Sequence, residues 1–397
     1  MAVDWTQLPR DIVESISKNL TVYTDYLGFR AVCHTWRISV PKIPHHLPPQ
    51  LPWLMLPLSQ SLSHQTHRSF FDLSLLKIHL LKLPEASHRK RRCGSSNGWL
   101  VILDETPTIL LLNPLTRAKL NLPPLSTFPN VVTFNYSKIG REYALRDSFG
   151  NNYSRNLTEM RDSFIKKLVL SSSPTRDNDF IALAILNQTG DLAFCKNGDQ
   201  AWTFIHEARF FSEDVIYYKN QFYAVDKHGK IAVCEVRGED SPRVSIIEMP
   251  PLIGGDIYYL VNSEDELLLV TRYLDLQFDD ADPYILNGFY KTVRFGVFRM
   301  NWSGLRWERV ENLGDRILFV GDNSSFSLSA SDFRGCSGNC IYYTDDYCEF
   351  NYDCGFRDYD LGIFKLWDGS IEPLPCYHPN SLSQLRWPPI WVTPNPC

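Results

Sequence analysis

The chain has 397 residues, a net charge of −5, 44% apolar and 13% aromatic residues. That charge excludes a broad basic face for nucleic acid, and no run approaches the ~20 apolar residues a membrane helix needs. The length suits one large domain plus a small one; the aromatic content favours β structure, and 25 Pro with 21 Gly call for many turns.

The first forty residues carry a helical pattern. Leu8-Pro9 marks a helix start, because proline is tolerated where its missing N–H would have no partner. Ile12, Val13, Ile16 and Leu20 follow on one stripe, with Asp11 and Glu14 near the positive end of the helix dipole and Asn19 near its end. Thr24-Asp25 offers an N-cap for a second helix carrying Leu27, Phe29, Val32 and Cys33, and Trp36 continues its stripe between Arg30 and Arg37. So short a piece cannot bury its own apolar surface. It needs either a partner protein or the domain behind it.

Residues 43–92 read as a Pro-rich connector. Pro41, Pro44, Pro48, Pro49, Pro52 and Pro57 interrupt its start, and Leu73, Leu75, Leu76, Ile78, Leu80 and Leu81 suggest a strand or two. Arg89, Lys90, Arg91 and Arg92 form a compact basic run, either a nuclear-import signal or a solvated edge.

From Cys93 onward, strand, polar turn and strand recur. Ile181–Leu186 and Leu192–Cys195 flank Asn187–Asp191; Phe222–Val225 and Ile231–Cys234 flank Asp226–Lys230. Turn centres near 190, 229, 265, 304 and 369 are spaced by roughly forty residues, apart from a last gap that holds another turn at Ser337-Gly338-Asn339. A hairpin unit at that period is the signature of a β-propeller, and residues 93–397 allow six units, or seven, of ~40–50 residues each. A pair of β-sandwiches is the alternative.

Other constellations are weak. Cys336, Cys340, Cys348 and Cys354 cluster, but only the first two have zinc spacing. His64 and His67 lack a metalloprotease glutamate. Asp279, Asp280 and Asp282, and Asp345 with Asp346, are adjacent carboxylates expected to point apart or into solvent, not paired across a cleft as a glycosidase requires. No cofactor or metal site is expected.

Two sets of residues carry a resemblance. Leu8-Pro9 at the start and Val32-Cys33-His34-Thr35-Trp36-Arg37 at the end resemble an F-box. Gly94–Leu100, Leu112–Thr116, Leu122–Leu125, Asp191–Lys196, Gly314–Gly321, Phe326–Ser331, Asn339–Asp346 and Trp387–Trp391 resemble a plant family that joins an F-box to a kelch-like propeller of unknown function. The resemblance implies a small all-α F-box (1–42) followed by an all-β propeller (93–397), in a non-catalytic substrate-recognition subunit of a Skp–cullin–F-box ubiquitin ligase. Leu8 and Pro9 would touch the Skp-type adaptor, which carries the cullin and RING subunits. Ile12, Val13, Ile16, Leu20, Leu27, Val32 and Trp36, beside Arg37, would form the helical core or its contact face. Gly28 departs from a good helix, costing ~1 kcal/mol relative to alanine. A target protein would bind loops on one propeller face, with Tyr273, Tyr284 and Tyr347 as candidate anchors. An adaptor-bound scaffold without degradation, and a propeller enzyme capped by helices, are the rival readings. A soluble protein of nucleus or cytosol, its ten cysteines reduced, is expected.

Overall fold

The structure, a computed structural model, describes residues 4–57, 66–87, 90–147, 149–238, 241–252, 254–278, 286–333, 335–346, 359–376 and 387–395. It is mostly β with few helices. Three short helices open it: α1 (Arg10–Lys18), α2 (Tyr23–Ala31) and α3 (His34–Ser39). No described helix is long and apolar enough to cross a membrane.

The strands fall into seven separate sheets among the described residues. The expected hairpins are present: Ile181–Leu186 pairs antiparallel with Leu192–Lys196, and Gln221–Val225 with Ile231–Glu235. Their turns use the left-handed conformation that only glycine adopts freely, at Gly190 (φ 64°) and Gly229 (φ 78°).

Both faces of a typical sheet are buried. Along Ile181–Leu186, side chains alternate in direction. Ala182, Ala184 and Leu186 enter the hydrophobic cluster shared with the preceding sheets, whereas Ile181, Leu183 and Ile185 enter the cluster shared with the following one. This two-sided burial explains the continuous apolar run in the sequence. The same alternation links the sheets in a cycle. The sheet containing Trp99–Asp104 packs on that of Ile181–Leu186, which packs on that of Gln221–Val225. Next come the sheets of Ile257–Ser263 and Arg316–Val320. That last sheet meets the one holding Trp53–Met55, which returns to Trp99–Asp104. A three-stranded sheet, Val131–Phe134, Tyr143–Arg146 and Asn152–Arg155, packs into the first of these clusters beside the cycle.

Two expectations are corrected. The stretch 43–92 is not a connector throughout: Trp53–Met55, His67–Asp72 and Lys77–Lys82 supply three strands of one sheet, and its fourth is Ile390–Val392 near the C-terminus. The connecting segment is thus confined to about 41–52. The second helix also stops earlier than expected. It starts at Tyr23 with no side-chain cap and ends at Ala31. α3 then begins anew, its N-cap Cys33 accepting the Trp36 N–H through sulfur at 3.4 Å.

Candidate functional site

The helical module divides its apolar residues in two. Val13, Tyr26, Phe29, Trp36 and Val40 form its buried core, with Leu8, Leu20, Cys33 and Leu47 packed against it. Trp36 is anchored twice, by its ring 4.5 Å from Phe29 and by Nε1–H donating to the Trp5 carbonyl at 3.1 Å. Tyr26 Oη–H donates to the Pro41 carbonyl at 2.7 Å. Gln50 ties the incoming chain to the α1–α2 turn, donating to Thr21 O at 2.9 Å and accepting from Tyr23 N at 3.0 Å.

The second group stays outside. Ile12 is 44% exposed and Val32 53%, with Ile16 and Leu27 also exposed. Ile12 and Ile16 lie one turn apart on α1 and share a face. The sequence placed all these residues on helical stripes without separating core from surface; the structure assigns Val13, Leu20 and Trp36 inward, and Ile12, Ile16, Leu27 and Val32 outward. Leu8 is half-buried, packing against this core while keeping part of its side chain outside, whereas Pro9, the N-cap of α1, and Arg37 are exposed.

The basic run is not an accessible patch in its described part. Lys90 pairs with Asp104 at 2.9 Å. Arg91 is buried as the first residue of the strand Arg91–Ser96. Arg92 donates to the Pro388 carbonyl at 3.3 Å, and burial lowers its guanidinium to about 10. Strand pairing against Leu103 and Ile102 draws this run inward. Arg89 lies outside the described residues, as do Tyr284 and Tyr347. Tyr273 is neither in a loop nor free. It sits half-buried in the long strand Glu266–Phe278, with the Arg294 guanidinium 3.5 Å over its ring.

Asp345 and Asp346 are also corrected. They are buried rather than solvent-facing. Asp345 accepts from Tyr290 Oη. Asp346 holds Arg272 Nη1 at 3.0 Å, while Asp360 holds its Nη2 at 2.8 Å. Arg272 is fully buried and also donates Nε–H to Thr292 Oγ1 at 2.7 Å, so the cluster is a structural tie between two sheets. The Asp279-Asp280-Asp282 group, Cys348 and Cys354 lie outside the described residues. Among the described residues no group of three or more His, Cys, Asp or Glu is placed to hold a metal.

At the middle of the cycle, the first residues of several strands line a charged cavity of about 40 Å³, the volume of a few water molecules. Lys167 Nζ donates to Asp214 Oδ1 at 2.7 Å, and Asp214 Oδ2 accepts the Leu260 N–H at 2.8 Å. Asp322 borders the same cavity. Burial first, then the Asp346 charge, raises its carboxyl to about 7. Sequence reasoning missed Arg272, Lys167 and Asp214. Their signal was a charge set within apolar strand runs, as in Thr271-Arg272 after Leu267–Val270.

The KIB1-4 beta-propeller family model matches residues 70–365. F-box protein SKIP23 of Arabidopsis thaliana is 31% identical, the alignment covering 98% of this chain and 96% of that protein. F-box protein At2g17036 of the same plant is 27% identical, covering 98% and 95%. Among solved structures, the β-propeller domain of Myceliophteria thermophila Cps50 (Swd1) overlays with a TM-score of 0.32 at 11% identity, covering 82% of this chain and 90% of that one, a distant likeness.

Proposed function

The chain belongs to the KIB1-4 beta-propeller family and is a plant F-box protein with a propeller domain, and we propose that it is the substrate-recognition subunit of a Skp–cullin–F-box ubiquitin ligase. The observation that carries this reading is the division within the helical module. Its core is filled by Val13, Tyr26, Phe29 and Trp36, yet Ile12, Ile16, Leu27 and Val32 remain outside. Large apolar side chains exposed on a module that already has a core are what a docking surface for another protein looks like. The Skp-type adaptor is the partner that the F-box relatives' names imply.

The six sheets of the cycle are, in this reading, six propeller blades, and the three-stranded sheet is an insertion beside them. Supporting this, each blade-to-blade contact has its own hydrophobic cluster. The target protein would bind at the end of the axis where the charged cavity lies. The helical module enters its sheet at Trp53, paired with Val392, while Met55 pairs with Ile390 at the cavity end, so the two docking surfaces sit at opposite ends. The long hairpin strands Glu266–Phe278 and Leu286–Asn301 also extend toward the cavity end. The contribution to ubiquitin transfer is proximity: holding the target beside the charged ubiquitin carrier raises its effective concentration. The chain itself supplies no catalytic group. A scaffold that binds the adaptor without degradation of its partner is the second reading, and it shares the same helical surface.

The test is capture of a purified Skp-type adaptor by the full chain and by a Leu8→Ala/Pro9→Ala variant. Capture by the wild type and its loss in the variant, with circular dichroism of the β domain unchanged, are expected. A well-folded wild type that captures no adaptor would overturn the ligase reading. Ubiquitin-dependent loss of a bound partner separates receptor from scaffold.

A further inference from the structure

At the far end of the axis from the charged cavity, the strands end around a second and larger cavity of about 370 Å³. That size lies at the lower end of the ~300–1,000 Å³ typical of small-molecule pockets. Its chemistry differs from that of the first. None of the described residues that line it is charged. Its wall instead carries the hydroxyls of Ser95, Ser324, Ser325 and Thr393 and the amide of Asn262, drawn from four different strand ends or turns.

Part of this polar wall is spent on the fold. Ser96 Oγ accepts the Leu170 N–H at 3.0 Å, Ser171 Oγ accepts the Ile181 N–H at 2.9 Å, and Ser327 Oγ accepts from Arg316 Nε at 2.9 Å. Ser325 is not spent. It is only 5% exposed, and its Oγ is buried with no hydrogen-bond partner. A buried hydroxyl without a partner costs roughly 1–3 kcal/mol, and native interiors rarely keep one without a reason. The side chains of Ser95, Ser324, Thr393 and Asn262 also make no hydrogen bond among the described residues. Beside these groups stand two rings, both fixed from behind: Phe326 stacks on Phe319 at 5.0 Å, and Tyr217 meets Phe222 edge-on at 4.9 Å.

We propose that this cavity binds an uncharged polyhydroxylated small molecule, of the size of a monosaccharide or cyclic polyol. A hydroxyl both donates and accepts, and so does a primary amide; a wall of such groups is matched by a ligand whose own hydroxyls do both. An anion would need cationic side chains to balance its charge, and a cation would need carboxylates. The wall offers neither, so a charged ligand would shed its hydration without repayment. The Phe326 and Tyr217 rings give the C–H face of a sugar ring an apolar surface to lie on. This site is separate from adaptor docking and stands or falls independently of the ligase reading.

The test uses the full-length chain and saturation-transfer NMR with D-glucose and myo-inositol as probes, beside D-glucuronate and D-glucosamine as size-matched charged controls. Transfer to the ring protons of at least one neutral probe is expected, with the charged controls at least about tenfold weaker. Ser325→Ala removes an unpaired hydroxyl, so the unliganded protein should melt at the same temperature or higher. Its affinity for the neutral probe should fall about tenfold, the worth of one good hydrogen bond, and Asn262→Leu should act likewise. Adaptor capture by both variants should match wild type. Absence of transfer from both neutral probes, equal binding of glucuronate, or binding that Ser325→Ala leaves unchanged would each overturn the proposal.

Discussion

The separation of core from surface in the helical module leads to a sharp contrast between neighbouring residues. Fully burying a Val or Ile side chain is worth about 1.5–3 kcal/mol. Ile12 and Val32 are 44% and 53% exposed in the free chain, so roughly half of that, about 1 kcal/mol each, remains to be gained when an adaptor covers them. The Ile12→Ala/Val32→Ala variant should therefore lose about 2 kcal/mol of binding, close to a thirtyfold weaker Kd, with little change in melting temperature. Val13 lies one position from Ile12 and is fully buried. Val13→Ala should cost about 1–2 kcal/mol of folding stability and weaken adaptor binding only as far as the module unfolds. Titration calorimetry against a purified Skp-type adaptor, paired with thermal melts of the same proteins, reads both quantities. The reasoning is refuted if the double variant binds within about threefold of wild type, or if Val13→Ala proves the more damaging to affinity while remaining folded.

Three further outcomes are expected. Gly28 lies on an exposed turn of α2 with no atom within 4 Å of the place a Cβ would take, so Gly28→Ala should raise the stability of the helical module by about 1 kcal/mol, and a lower melting temperature would contradict this. The Asp322 carboxyl, raised from 3.8 to about 7, stays protonated in the folded chain after the unfolded chain has lost its proton. The contribution of this group to stability is then most favourable below about pH 4 and declines as pH rises toward 7; the full shift is worth about 4 kcal/mol, and beside a water-sized cavity about half of that is expected. Asp322→Asn should remove this group's downward slope from the urea midpoints between about pH 4 and 7, and an unchanged slope would rule out this residue as its source. Arg272→Met strands the buried Asp346 and Asp360 carboxylates and should cost about 3–5 kcal/mol; a denaturation midpoint equal to wild type would show the tie to be dispensable.

Local features were legible in the sequence where turn chemistry and strand pattern agreed. Asn187–Asp191 and Asp226–Lys230 announce their hairpins because each places a glycine at the required left-handed position. The strand Trp53–Met55 was hidden because prolines at 52 and 57 flank it, and because its partner Ile390–Val392 comes from near the other end of the chain. The three-stranded sheet of Val131–Phe134, Tyr143–Arg146 and Asn152–Arg155 was not foreseen, because it precedes the turns that carry the forty-residue period. The break between α2 and α3 rests on a sulfur cap at Cys33, a residue that does not ordinarily signal a helix start. Helical periodicity identified the apolar residues of the helical module only as a set. Which members point inward depends on how α1, α2 and α3 pack, and periodicity within one helix does not contain that. Asp345 and Asp346 were misplaced for a similar reason: their partners, Tyr290 and Arg272, lie in strands far away in sequence.

The sheet assembled from Trp53–Met55 and Ile390–Val392 has a consequence for the birth of the protein. During synthesis the helical module and the strands His67–Asp72 and Lys77–Lys82 leave the ribosome long before the strand Ile390–Val392 that pairs beside Trp53–Met55. Until then the Trp391 side, which packs against Phe319, stays open and two hydrophobic clusters lack a wall. Nascent chains of this protein should therefore display the helical module well before the β domain is sealed, and should depend on chaperones for that interval. Translation arrested short of residue 390 would release a species with its helical module but without a finished β domain behind it.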